Sequence, residues 1–179
     1  KDLLAEKPFG IDRAAAEEVF DTMRAHPNSF VRVSSEMPFF PGAQLAVEIV
    51  TSGALGRLVE ARSAFLHSSD YDVRKPINWK RQSQYCGRAG VLNDLGMHAW
   101  HVPLRLGWIP CDVTAVVQNL VPERPNADGD LVLCDTWDNA VTWSTIPHSL
   151  GDFPLVTETK RIAPGHKNTW ELEVSGMDG

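Results

Sequence analysis

The chain has 179 residues, 43% of them apolar, and its 17 Lys and Arg against 23 Asp and Glu give a net charge of −6. That is enough for one sizeable domain, or one domain with part of another, without support from disulfides or a metal. The acidic balance argues against nucleic-acid or anionic-membrane binding, and no apolar run approaches the roughly 18 residues of a membrane helix. Three cysteines, Cys86, Cys111 and Cys134, form no CxxC and cannot all pair, which fits free thiols in a reducing compartment, the cytoplasm. The chain opens on Lys1 and stops straight after a strand-like run, so both ends are expected to be cut from a longer polypeptide.

Lys1 to Ala5 reads as the end of a buried strand, and Glu6-Lys7-Pro8-Phe9-Gly10 turns the chain. A helix from Asp12 to His26 follows, with Asp12 as N-cap and Ala16, Val19, Phe20 and Met23 as its apolar stripe. A short strand covers Phe30 to Ser34. A second helix spans Pro41 to Ser52, with Pro41 in the first turn and Gly53 past the end. A strand runs from Arg57 to about Ser68. Residues 69–90 are polar and loop-like, a length that often serves function. A third helix runs from Val91 to Leu106 and should kink at Pro103.

From Cys111 on, the reading is β. Strands are expected at Asp112–Val121, Asn139–Ile146, Leu155–Ile162 and Thr169–Ser175, with a loop from Pro122 to Asp130. In the last strand Trp170, Leu172 and Val174 alternate with Glu171, Glu173 and Ser175, as a sheet with one wet face requires. The six tryptophans read mostly as packing; Trp143 and Trp170 fit strand cores, Trp100 and Trp108 a helix on a sheet.

Three groups of residues can carry chemistry. Lys7, held by Pro8 after a strand, sits where ligands of open α/β sheets bind; its ammonium can hydrogen-bond a substrate hydroxyl or steady developing negative charge. A solvated turn lysine is the simpler alternative. Asp94 and His98 lie four apart on a predicted helix, with His101 three further on. They can form an acid/base pair or bind a divalent metal; taken alone, a surface pair or a core histidine bonded to backbone is the simpler reading, and a metal site the least favoured. The segment with Trp79-Lys80-Arg81 and Cys86-Gly87-Arg88 combines an aromatic face, cations and glycine, and can close over a polar substrate. No GxGxxG, GxxxxGK[ST], GxSxG or HExxH occurs in the sequence.

Taken in order, Glu6-Lys7-Pro8, the Ser52-Gly53-Ala54-Leu55-Gly56-Arg57-Leu58 joint, and Gly90 with Asp94 and His98 resemble the glucose–fructose oxidoreductase, inositol dehydrogenase and rhizopine-catabolism family of NAD(P)-dependent oxidoreductases. The resemblance implies an α+β chain: an open, mostly antiparallel sheet backed by helices, preceded by the tail of a Rossmann-type domain. Residues 1–36 would be the remnant of the dinucleotide-binding domain and 37–179 the substrate-binding and oligomerisation domain.

Under the resemblance, Glu6, Lys7 and Pro8 lie by the cofactor, NAD or NADP, and no resident metal is needed. Lys7, Asp94 and His98 are catalytic: Lys7 touches substrate and nicotinamide, Asp94 positions the reacting hydroxyl and His98 is the general base. Trp79, Arg81, Arg88 and Asn93 are the expected contacts to a sugar or polyol substrate. Gly87-Arg88-Ala89-Gly90 departs from the family's run of glycines and brings Arg88 toward the pocket. A homodimer or homotetramer is expected. The fragment alone, without a Gly-rich dinucleotide loop, is expected to be inactive. A non-catalytic sugar- or partner-binding protein of the same fold is the alternative, followed by a metal-dependent lyase or isomerase.

Overall fold

The computed structural model describes residues 2–179; Lys1, expected at the start of the first strand, lies outside the described residues. The chain begins with a small α/β unit. Strands β1 (Leu3–Glu6) and β2 (Val31–Ser34) pair in parallel, joined through helix α1 (Arg13–Ala25). Asp12 caps α1 by accepting a hydrogen bond from the Ala15 amide at 2.9 Å. None of the residues of α1 is buried, and Leu4 on β1 is 74% exposed. The first strand is therefore not buried as expected, because among the described residues only β2 flanks it.

The main body is a five-stranded mixed sheet in the order β4-β7-β8-β3-β9, built from β3 (Leu58–His67), β4 (Asp112–Gln118), β7 (Asn139–Ile146), β8 (Phe153–Lys160) and β9 (Asn168–Gly176). All neighbouring pairs run antiparallel except β3 with β8. Helices α2 (Pro41–Thr51) and α5 (Gly96–Arg105) belong to its backing layer. Phe65, Ala99, Leu95, Val91 and Met37 form one core cluster, and Ala61, Leu155, Ile146, Phe153 and Trp108 a second. The opposite face stays open. Trp143 lies there, 55% exposed, because it pairs with Val156 and Thr114 on the side away from Ile146. The expectation of a core Trp143 fails on strand parity.

The remaining elements differ from the pattern reading in three places. The segment read as a Pro/Asn/Asp/Gly loop is a hairpin of β5 (Glu123–Pro125) and β6 (Leu131–Leu133), closed by Asn126, whose Oδ1 accepts from the Asp128 and Asp130 amides at 2.9 Å. The expected single helix from Val91 breaks at Leu95 into α4 (Val91–Asp94) and α5. Ahead of them, a 3-10 turn at Trp79–Arg81 and the short α3 (Ser83–Cys86) order part of the predicted loop.

Pro103 stays inside α5. A proline cannot donate to the carbonyl four residues back. The Ser63 hydroxyl from β3 supplies the missing donor to the Ala99 carbonyl at 2.6 Å, so the sheet completes the helix.

Candidate active site

The site forms where β1 ends. Beyond Glu6 the Lys7–Pro8 peptide is cis, and the half-buried Lys7 side chain reaches across to α4. Its Nζ donates to the Asp94 carbonyl and to Asp94 Oδ1, both at 2.8 Å. Asp94 ends α4 at the break. Gly90, which starts α4 at φ +52°, leaves no room for a side chain: a Cβ would lie 2.9 Å from the Trp137 amide nitrogen.

The second carboxylate oxygen has two more cationic partners. Lys80 Nζ donates to Asp94 Oδ2 at 3.0 Å, and Arg161 Nη2 does so at 3.2 Å. Lys80 is placed by its turn, where Asn78 Oδ1 accepts from the Lys80 amide at 2.9 Å, and its ammonium lies 5.5 Å from the Trp79 ring centroid. One carboxylate thus faces three cations. Burial alone would raise the Asp94 pKa; the hydrogen bonds and charges of Lys7 and Lys80 outweigh it and hold the group well below the usual carboxylate range.

His98 sits one turn into α5 and is 6% exposed. Its ring packs on Phe65 at 4.7 Å between centroids, its carbonyl accepts from Trp170 Nε1 at 3.1 Å, and its Nδ1 is buried without a hydrogen-bond partner. Burial, then the Lys7 charge, pushes its pKa below the ordinary 6.5. The imidazole is therefore neutral at pH 7 and free to accept a proton. No hydrogen bond joins Asp94 to His98 among the described residues, because Asp94 is turned toward Lys7, Lys80 and Arg161. His101 stays apart, half-buried, with its pKa lowered by burial and by Arg105. Among the described residues no group of three or more His, Cys, Asp or Glu is arranged to hold a metal ion.

The expected substrate contacts fall into three places. A pocket of about 170 Å³ beside Asp94 is lined by Trp79, Asn93, Pro8, Ile11 and Tyr85. Trp79 is 53% exposed there. Asn93 spends its amide on backbone, donating from Nδ2 to the Ile11 carbonyl at 2.7 Å and the Cys86 carbonyl at 3.2 Å, which ties the segment after Lys7 to α3. Arg88 is exposed and lines an adjoining depression with Arg13, Ser83 and Gly87 rather than the Asp94 pocket. Arg81 is fully buried and turned inward, ion-paired with Asp138 and 3.8 Å from Asp70. It holds the interior and is out of a substrate's reach. The reason is local: Lys80 and Arg81 leave a tight turn in opposite directions.

Two residues of the site, Arg161 and His67, were missed from sequence, and Lys80 was read only as one of the cations of the Trp79-Lys80-Arg81 segment. Arg161 carries no recognisable motif. His67 closes β3 with its ring 5.0 Å from Phe65, and burial lowers its pKa against the opposing charge of Asp94. Its signal was available: a histidine at the carboxyl end of a central strand.

A profile of the GFO/IDH/MocA C-terminal domain matches residues 43–179. The chain belongs to the GFO/IDH/MocA family. Levoglucosan dehydrogenase of Pseudarthrobacter phenanthrenivorans is 26% identical over 129 residues, 72% of this chain and 33% of that protein. An NAD binding oxidoreductase from Klebsiella pneumoniae superposes with a TM-score of 0.87 at 29% identity, over 98% of this chain and 46% of that one. Levoglucosan dehydrogenase in complex with NADH and levoglucosan superposes with a TM-score of 0.86 at 26% identity, over 98% and 45%. This member of the GFO/IDH/MocA family thus spans less than half the length of the relatives it matches.

Proposed function

We propose that the chain is the substrate-side part of an NAD(P)-dependent oxidoreductase that moves hydride between nicotinamide and a hydroxyl-bearing carbon of a sugar, inositol or similar polyol. The observation that carries this reading is the Lys7–Asp94 ion pair near a buried His98 whose Nδ1 has no hydrogen-bond partner. The relatives that bind NADH and levoglucosan support it.

The residues present fit the reacting end of the cofactor. Lys7 stands at the carboxyl end of β1, where α/β sheets take their ligands, and the small pocket beside Asp94 has an apolar wall in Pro8, Ile11 and Trp79. When bound, nicotinamide accepts or gives the hydride. In the oxidative direction Lys7 donates a hydrogen bond to the reacting oxygen and stabilises its developing negative charge. Asp94, kept ionised, holds that ammonium in place and orients the hydroxyl. His98 removes the hydroxyl proton. Trp79 offers a face to the sugar ring, and His67 a polar contact from the end of β3.

Residues 1–36 belong, in this proposal, to the dinucleotide-binding domain, and 37–179 form the substrate and assembly domain. The exposed parallel β1-α1-β2 unit and a family match that starts at residue 43 support that division. The open sheet face, with Trp143 and Val116 exposed, supports a homodimer or homotetramer. No described helix is long and apolar enough to cross a membrane; the free thiols of Cys86, Cys111 and Cys134 support a cytoplasmic setting.

The test is NADH fluorescence with residues 1–179 alone and with the complete protein. The chain alone should show no tight saturable binding, and the complete protein should reduce NAD or NADP with a sugar or polyol. A second reading rests on the exposed Trp79 and Tyr85 beside the pocket: a non-catalytic sugar binder of the same fold. It requires ligand binding by the complete protein without any change in NADH.

A further inference from the structure

Arg161 stands just past β8, and its side chain is 3% exposed. One arm of its guanidinium, Nη2, donates to Asp94 Oδ2 at 3.2 Å; the other, Nη1, donates to the Lys80 carbonyl at 2.9 Å. Its backbone is pinned on both sides. The Arg161 amide donates to the Asp138 carbonyl at 3.0 Å, and the Asp70 amide donates to the Arg161 carbonyl at 3.2 Å. The Lys80 carbonyl gathers two further donors, Thr136 Oγ1 at 3.1 Å and Cys86 Sγ at 3.2 Å.

The other partners of Asp94 are less constrained. Lys7 and Lys80 each end in a rotating ammonium on a four-carbon stem, and Lys80 is 40% exposed. A carboxylate turns broadly about its last torsion. Two ammonium partners alone leave that torsion soft. A planar fork fixed at its backbone and at a second acceptor does not. We infer that Arg161 is a positioning residue: it locks the Asp94 carboxylate and the Trp79–Arg81 turn in one register, and so sets where the Lys7 ammonium meets substrate. Its kinetic consequence rests on the oxidoreductase reading above; its effect on Asp94 does not.

The charged and titratable groups facing Asp94 are Lys7 after β1, Lys80 on the 3-10 turn, Cys86 on α3, Arg161 after β8, His67 on β3 and His98 on α5. Replacing Arg161 by an uncharged residue of similar length removes a donor that a lysine replaces only in part, since lysine reaches Asp94 or the Lys80 carbonyl but does not fork to both.

The experiment compares wild type, Arg161→Met and Arg161→Lys in the complete protein. It reads NAD reduction with levoglucosan and with myo-inositol, thermal melting, and the Asp94 carboxyl titration by NMR of carboxyl-labelled aspartate. Arg161→Met should lose kcat on the order of 100-fold while KM moves far less. Its Asp94 midpoint should rise, because the carboxylate loses one charged hydrogen bond. Arg161→Lys should fall between the two. A folded Arg161→Met with wild-type kcat and an unmoved midpoint overturns the inference. Should Arg161→Met fail to fold, Arg161→Lys decides: a lowered kcat with a raised midpoint supports the fork, and wild-type values overturn it. Should the wild type reduce neither NAD nor NADP with any member of a sugar and polyol panel, the oxidoreductase reading fails by itself, and the Asp94 midpoint still decides the inference.

Discussion

Lys80 and Arg81 are neighbours in the chain and serve two unlike ionic clusters. Lys80 joins Lys7 and Arg161 around Asp94, three cations on one carboxylate at a pocket that solvent reaches. Arg81 faces Asp138 and Asp70 in the interior, where Asp138 Oδ2 also accepts from the Leu120 and Val121 amides at 2.6 and 3.0 Å. The interior cluster sets one guanidinium against two carboxylates and closes a fold junction. The outer cluster keeps surplus positive charge at an opening. Surplus positive charge at an accessible place is a means of binding and stabilising a developing anion; paired charge sealed from water serves structure.

The comparison breaks most visibly at His98. His98→Ala should lower turnover of the complete protein by roughly 10²–10⁴-fold, the range of a lost general base, with a lower melting temperature from the cavity left beside Phe65. The inner cluster should respond in the opposite sense. Asp138→Ala leaves Arg81 buried without its nearer carboxylate and should cost about 3–5 kcal/mol in urea unfolding, whereas Asp138→Leu with Arg81→Met should recover only part of that loss, since the Leu120 and Val121 amides stay without an acceptor.

A smaller effect belongs to the scaffold between the clusters. Ser63→Ala removes the donor that replaces the missing Pro103 amide and should cost about 1–3 kcal/mol. Acid should act on both activity and stability. Burial lowers the pKa of His67, His98 and His101 below 6.5 in the fold. The unfolded chain therefore takes up protons first as pH falls, and stability should drop below about pH 6.5. Asp94, whose pKa is lowered below 3.8 in the fold, adds a second loss further into acid. Melting temperatures across that range check the sign; His98→Phe should flatten the first step.

Much of the architecture was legible because it rests on local rules. The alternation of Trp170, Leu172 and Val174, the Asp12 cap and the Pro41 start all specify their elements within a few residues. The misses have longer-range causes. The strands of the β5–β6 hairpin are three residues each, too short to show a period beside the turn-forming Asn126 and Gly129. The break at Leu95 is hidden in an unbroken apolar pattern. Trp143 was placed in the core because its strand carries small polar residues on the buried face; Thr142 and Ser144 are buried where Trp143 is not.

At the site, Lys7, Asp94 and His98 stood out through their setting in a motif, and the fold brings Lys7 to Asp94 from 87 residues away. Arg161 could not be read at all, since its two partners lie 67 and 81 residues distant. Arg81 was misplaced because a sequence does not tell which of two adjacent cations turns inward.

The most direct measurement is NAD reduction by the complete protein with levoglucosan or myo-inositol, set beside Lys7→Met under the same conditions. The account predicts turnover in the wild type and a loss on the order of 100-fold in a variant that melts like the parent. Equal rates in the two proteins, or no reduction with any sugar or polyol in either, would contradict it.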